Sequence, residues 1–304
     1  MRLIVCTQRI IALSCLIIWT GCSMVPQPHN PLDDRLPNAQ FTSLINELQS
    51  DSTYLQVSGW SLGSPLELAP VIEEERVKLG LERSPLVDLK LILTALFEPV
   101  VQSEVNESVW CQHFTLIRLL RRAAHDRSIH LPKSPQCPAF ETWMRADQLR
   151  GIEVILATPN ASKPVSSFGH TMIRLRHAQS KHILSDDLVY ELIALTSPHV
   201  STWSYLMRGL FGGYTLIFKP TPLKEVSLTN RSTENRDLVR YDLRLNQREL
   251  RHVLQRLWEL ERRAYLPYYF LNKNCAYYLY WFVHTALFDR SDISSYEEIL
   301  APPK

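Results

Sequence analysis

The chain has 304 residues, with 33 basic and 31 acidic side chains and 9 glycines. Near-balanced charge argues against a nucleic-acid partner, which needs a concentrated basic face, and so few glycines leave no phosphate-cradling loop or dinucleotide fingerprint. The length is enough for one large or two modest domains with a substantial core.

Arg2 and Arg9 give the start of the chain a positive end, and Ile10 to Trp19 is apolar. That run is about half of what a bilayer-spanning helix needs, which fits a signal peptide over residues 1–21 better than a membrane span. Gly21-Cys22 closes it, and the ending resembles the lipobox of bacterial lipoproteins, with Trp19 where that motif usually carries Leu. The resemblance implies cleavage before Cys22, a lipid on its thiol, and a chain held to the membrane through that lipid. Ser23 in the next position implies the outer membrane, on the periplasmic side of the envelope. Residues 22–37, with three prolines between Ser23 and Pro31, are expected to form an extended linker. Removing residues 1–21 takes away Arg2 and Arg9 and no acid, so the mature charge is expected to be zero. No later segment reaches about 18 uninterrupted apolar residues, so no membrane-crossing helix is expected there.

Four cysteines follow residue 21: Cys22, Cys111, Cys137 and Cys275. In an oxidising compartment two of the last three are expected to pair. Cys111 and Cys137 are near in sequence and flank a helix and a proline-containing loop, so they are the natural disulfide. Cys275 is then a free thiol, either a buried core cysteine or a nucleophile.

Residues 38–150 read as a helical region. Helical spacing of apolar residues covers Pro85–Val101 and Glu107–Arg127, the latter with Arg118, Arg121 and Arg122 on an expected solvated face. Leu131–Pro138 reads as a loop and Ala139–Arg150 as another helix. After Arg150 the pattern changes to strands over Ile152–Ala157, Phe168–Arg176, Leu188–Leu195, Tyr214–Lys219 and Leu238–Leu245, with a helix near Ser201–Leu210. Asn246 opens a helix, with Glu249 at the capping-box position and Leu250, Val253, Leu254 and Leu257 on one stripe. A last helix is expected from Asn274 to about Phe288. The fold class is therefore α+β, with a domain over residues 151–290 and a tail over 291–304.

Two segments carry the chemistry: SSFGHTMIRLRH at 166–177 and YYFLNKNCAYYLYWFV at 268–283. Cys275 stands where a helix begins, and the unsatisfied N–H groups there favour a thiolate, the reactive form of cysteine. His170 on a strand can supply the imidazole. The FGHT-hydrophobic-Arg block and the later Asn-Cys pair opening an aromatic-rich helix resemble the family of the Lnb N-terminal periplasmic domain. That family is similar to the permuted branch of the NlpC/P60 and lecithin–retinol acyltransferase superfamily, in which histidine precedes cysteine. The resemblance covers roughly residues 150–290 and implies a circularly permuted papain-like fold. The namesake lipoprotein N-acyltransferase continues into a bundle of membrane helices, a feature the sequence here does not contain.

A third group normally orients the imidazole; His182 and Glu191 are both candidates. Ser166 and Ser167 can line the site or cap a turn. Arg174 reads either as a substrate contact or as half of a structural ion pair, and Asn274 as a helix cap, an oxyanion donor, or both. The aromatic run from Tyr265 to Trp281 can wall an acyl groove or fill the core. No CxxC, HxxxH or HExxH spacing supports a metal, and no cofactor is expected. The resemblance implies a thiol acyltransferase or acyl hydrolase acting on a lipid or lipoprotein. The alternatives are an NlpC/P60-type amidase or endopeptidase acting on peptidoglycan peptides, and a non-catalytic envelope scaffold.

Overall fold

In the computed structural model, the residues described are 32, 35, 39–144, 149–158, 170–177, 187–196, 200–229 and 236–290. Cys22, Ser166, Ser167, His182 and the 291–304 tail lie outside them. The first half is helical: α1 (Ala39–Leu48), α2 (Ser52–Val57), α3 (Pro70–Lys78), α4 (Pro85–Phe97), α5 (Val109–Gln112), α6 (Phe114–His125) and α7 (Pro138–Met144). Asp51 caps α2 by accepting from the Tyr54 N–H, and Ser84 caps α4 by accepting from the Val87 N–H, with Pro85 pre-set for the first helical position. The expected extension of α4 to Val101 fails because the residue before Pro99 is pushed out of helical geometry, and Glu98 is extended.

The expected single helix over 107–127 is two helices, α5 and α6, broken at His113 (φ −133°, ψ 43°). The cause is tertiary. The buried His113 ring accepts the Ala69 N–H at 3.1 Å through Nε2 and lies against the Arg263 guanidinium. Burial and the Arg263 charge hold its pKa well below the ordinary histidine value, which keeps it neutral. Arg118 also departs from a solvated face. It donates to the Ala286 carbonyl and lies 4.6 Å over the Phe288 ring, so it caps the last helix instead of meeting water.

Cys111 in α5 and Cys137 ahead of α7 form a disulfide across a separation of 26 residues. Closing a loop of that length in the unfolded chain is worth about 3–4 kcal/mol. Reduction, or Cys137→Ala, is expected to lower Tm by roughly 10 °C in a thermal melt. A reduced protein melting with the oxidised one would show that the loop is already held closed without the bond.

The second half carries a six-stranded antiparallel sheet: β1 (Leu149–Ala157), β2 (His170–His177), β3 (Leu188–Leu195), β4 (Tyr214–Pro222), β5 (Leu238–Asp242) and β6 (Leu266–Tyr268), in the order β5-β1-β2-β3-β4-β6. Four helices accompany it: α8 (Thr202–Phe211), α9 (Leu223–Leu228), α10 (Gln247–Arg263) and α11 (Cys275–Ala286). The helix expected over 139–150 ends at Met144, and β1 already begins at Leu149. Alternation assigns the two faces of the sheet. Val154, Ile173, Leu175, Tyr190, Leu192 and Phe218 point into the main core with α10 and α11, while Ile155, Met172 and Val189 pack with Leu223 and Val226 of α9. Asn246 and Glu249 form the capping box of α10 in both directions, and Leu250, Val253, Leu254 and Leu257 are buried. The N-terminal helices share this core: the Trp258 indole donates to Cys111 O and that of Trp281 to Gln56 O, each at 3.0 Å.

Candidate active site

Helix α11 starts at Cys275 because Asn274 is extended (φ −100°, ψ −174°) and its side-chain oxygen accepts the Tyr277 N–H at 3.2 Å. Tyr278, Trp281, Phe282 and Val283 bury the inner side of the helix, and the Tyr278 hydroxyl donates to Pro267 O, tying α11 to β6. Strands β2 and β3 pair only from Met172↔Glu191 to Arg174↔Val189. Where that ladder ends, the thiol enters: Cys275 Sγ donates to Leu192 O at 3.2 Å.

His170, the first residue of β2, places Nδ1 3.9 Å from Sγ. Its other ring nitrogen, Nε2, is 3.7 Å from Glu191 Oε2. Register explains the second contact, because Met172 opposes Glu191 and His170 lies two residues back on the same face. Burial pulls the His170 pKa down, but the hydrogen bonds and charges of Cys275 and Glu191 outweigh it and raise the value from 6.5 to about 9. For Glu191, burial pushes the carboxyl up, and His170 and Lys219 overcome it, so its pKa falls below the ordinary value. A histidine of raised proton affinity therefore lies between a sulfur and a carboxylate, a setting that can move a proton off a thiol and return it elsewhere.

The other candidates separate clearly. Asn274 spends its amide on the helix: its oxygen takes the Tyr277 N–H and its nitrogen donates to Phe270 O at 3.3 Å. Arg174 is buried and bonded to Asp187 and Glu153 at 2.6–2.8 Å, which corrects the substrate-contact reading in favour of the ion pair. It lies four residues along β2 from His170, about 13 Å away. Two contributors were not legible as such. The Tyr268 hydroxyl oxygen accepts from Sγ at 3.9 Å, and burial followed by the nearby sulfur raises its pKa, so it keeps its own proton. The Leu192 carbonyl is a backbone group that only the sheet register brings to the thiol. The aromatic run of the sequence pointed to the Tyr268 region, though not to a role for its hydroxyl.

Tyr205 of α8 and Tyr214 of β4 pack against Phe270, with ring centroids 5.1 and 6.3 Å away, and form a wall beside Tyr268. No group of three or more His, Cys, Asp or Glu side chains among the described residues is arranged to hold a metal ion. No curated protein and no solved structure matches the chain. The family model described as the Lnb N-terminal periplasmic domain matches residues 139–297, more than half of the chain and every strand of the sheet. The protein that places Cys275 beside His170 is thus a member of the Lnb N-terminal periplasmic domain family.

Proposed function

We propose that this chain is a cysteine-dependent acyl-transfer enzyme of the periplasm, with a permuted papain-like arrangement in which the histidine strand precedes the cysteine helix. The observation that carries the reading is the line of three groups at the start of α11: sulfur, imidazole and carboxylate, at 3.9 and 3.7 Å. Three-membered sets of this kind let a nucleophile lose its proton to a base that a third group orients. In this reading Cys275 is the nucleophile, His170 the proton carrier and Glu191 the group that positions His170.

The step runs as follows. His170 Nδ1 takes the thiol proton, and Sγ attacks the carbonyl carbon of an ester or amide. First-turn N–H groups of α11 and the Tyr268 hydroxyl face the oxyanion that forms. The C–O or C–N bond then breaks, His170 returns its proton to the departing alcohol or amine, and the acyl group remains on Cys275 as a thioester. An incoming amine or water attacks that thioester while His170 takes its proton, and the thiol is restored. The family resemblance favours an acyl lipid or a lipoprotein as substrate. The lipid expected on Cys22 would hold the catalyst at the membrane and raise its effective concentration there.

The test is to trap the thioester. Purified protein is incubated with phospholipid vesicles or with muropeptides, quenched in acid, and the peptide bearing Cys275 is weighed by mass spectrometry. An added fatty-acyl mass that is absent in Cys275→Ala is the expected result. A muropeptide acyl mass instead would move the substrate to the cell wall, and no adduct with either, in protein that still melts cooperatively, would leave the fold without this chemistry.

A further inference from the structure

We propose that the surface around the mouth of the thiol site, formed by α8, the turn before α11 and the outer side of α11, sits in the interfacial layer of a phospholipid bilayer. The inference deepens the acyl-transfer reading, on which it rests for its purpose, by fixing how a membrane-resident substrate would reach Cys275. Its chemical basis is the surface itself.

Helix α8 has the sequence TWSYLMRGLF, and its one buried residue is Gly209. That glycine seats the helix: a Cβ there would stand 2.1 Å from the Phe270 ring, and the Phe270 N–H donates to Gly209 O at 2.8 Å. Gly212 meets Tyr269 in the same way, so the end of α8 and the 269–271 segment form one ridge. The inner side of the ridge is the ring wall of Tyr205 and Phe270 beside the thiol. Its outer side is exposed: Trp203, Phe211 and Leu271 are 72%, 74% and 72% exposed, and Leu210 of α8 and Tyr277 and Tyr280 of α11 are exposed as well. Trp203 and Leu210 are seven residues apart, two helical turns, and so share a face. Large apolar side chains grouped in this way mark a binding surface, not ordinary surface scatter.

The charge pattern selects the partner. From Val200 to Lys219 and from Ala264 to Phe288 there is no Asp or Glu, although the chain holds 31 of them. The formal cations in those stretches are Arg208, Lys219 and Lys273. Trp- and Tyr-bearing segments without carboxylates and with a few basic groups complement a layer of phosphate headgroups over acyl chains, where indole and phenol rings place an apolar body and a polar tip. Such placement would open the Tyr205–Phe270 wall directly onto lipid.

The test uses the full chain on vesicles of phosphatidylethanolamine and phosphatidylglycerol whose acyl chains carry bromine near the carbonyl end. Bromine quenches tryptophan only on contact, and among the described residues Trp203 is the one exposed tryptophan. Quenching in the native protein that is lost in Trp203→Phe, which keeps the apolar surface, is the expected outcome. Absence of quenching, or quenching unchanged in Trp203→Phe, overturns the proposal. So does an unquenched protein that sediments as a dimer through this face. Iodoacetamide labelling of Cys275 in the same samples separates the two readings. Labelling that depends on His170 without quenching removes the membrane face and leaves the thiol chemistry. Quenching with labelling indifferent to His170 leaves the membrane face and removes the chemistry.

Discussion

Replacing His170 with alanine is expected to slow the alkylation of Cys275 by iodoacetamide at pH 7 by about tenfold or more. An isolated cysteine holds only a few per cent of thiolate at that pH, and only the thiolate reacts. In the variant the imidazole 3.9 Å from Sγ, the base able to take the thiol proton, is gone. On turnover the same variant is expected to lose about 10²- to 10⁴-fold, the usual contribution of a positioned acid–base group. The pH dependence has a definite sign. The His170 pKa is raised in the folded protein from 6.5 to about 9, so the stabilisation linked to it is fully present below about pH 6.5 and is lost as pH climbs through about 9. Glu191→Gln removes one of the two groups that raise it. An NMR titration of His170 is expected to show its midpoint fall by about one unit or more in that variant. An unchanged midpoint would remove Glu191 as the orienting group and leave His182 as the remaining candidate. Because His170 and Glu191 interact, wild type and variant need to be compared over the whole range.

What could be read from the sequence and what could not divides along local and non-local lines. The strand Leu188–Leu195 was legible from its short apolar run and the start of α10 from an Asn246–Glu249 pair three residues apart, both local features. The helix start at Cys275 was legible for the same reason, since Asn274 caps through its own side chain. The break at His113 was not, because its cause is Ala69 and Arg263, which are 44 and 150 residues away. Strand β6 is three residues long with a proline in the middle, pairs only with β4, and carries no pattern of its own. Glu191 could not be placed beside His170 from spacing, because its position depends on which residue of β3 opposes Met172. The site is an extreme case of this division. His170 opens β2, Cys275 opens α11 and Tyr268 closes β6, while Glu191 lies inside β3, and their meeting depends on β2 and β3 parting after a short ladder.

Arg174→Met is expected to destabilise the protein by about 3–5 kcal/mol, the usual consequence of removing one partner from a buried ion pair. The side chain donates through Nε and Nη2 to Asp187 Oδ2 at 2.8 and 2.6 Å and through Nη1 to Glu153 Oε2 at 2.8 Å. Both carboxylates are nearly inaccessible to water, at 4% and 2% exposure, so the variant would leave two buried charges with weaker company. Glu153 would keep Arg176 at 3.6 Å, and Asp187 would keep His177 at 3.3 Å. The triad joins β1, β2 and the residue before β3, and the register Glu153↔Arg174 puts all three groups on one face. A slip of one residue would drive the guanidinium into the Ile173–Leu175 core, so the charges specify the pairing that sets His170 opposite Ala157. The measured quantity is Tm, with a fall on the order of 10 °C. Adding Glu153→Gln and Asp187→Asn to Arg174→Met should restore much of the loss, since a neutral replacement of a whole buried ion cluster is often tolerated where a broken one is not. A residue serving substrate would behave in the opposite way: Tm unmoved, turnover lost, and no rescue by neutralising its neighbours. In the cooled, folded Arg174→Met protein, Cys275 should still be alkylated at the native rate, because the thiol site lies about four strand residues away and does not contain this arginine.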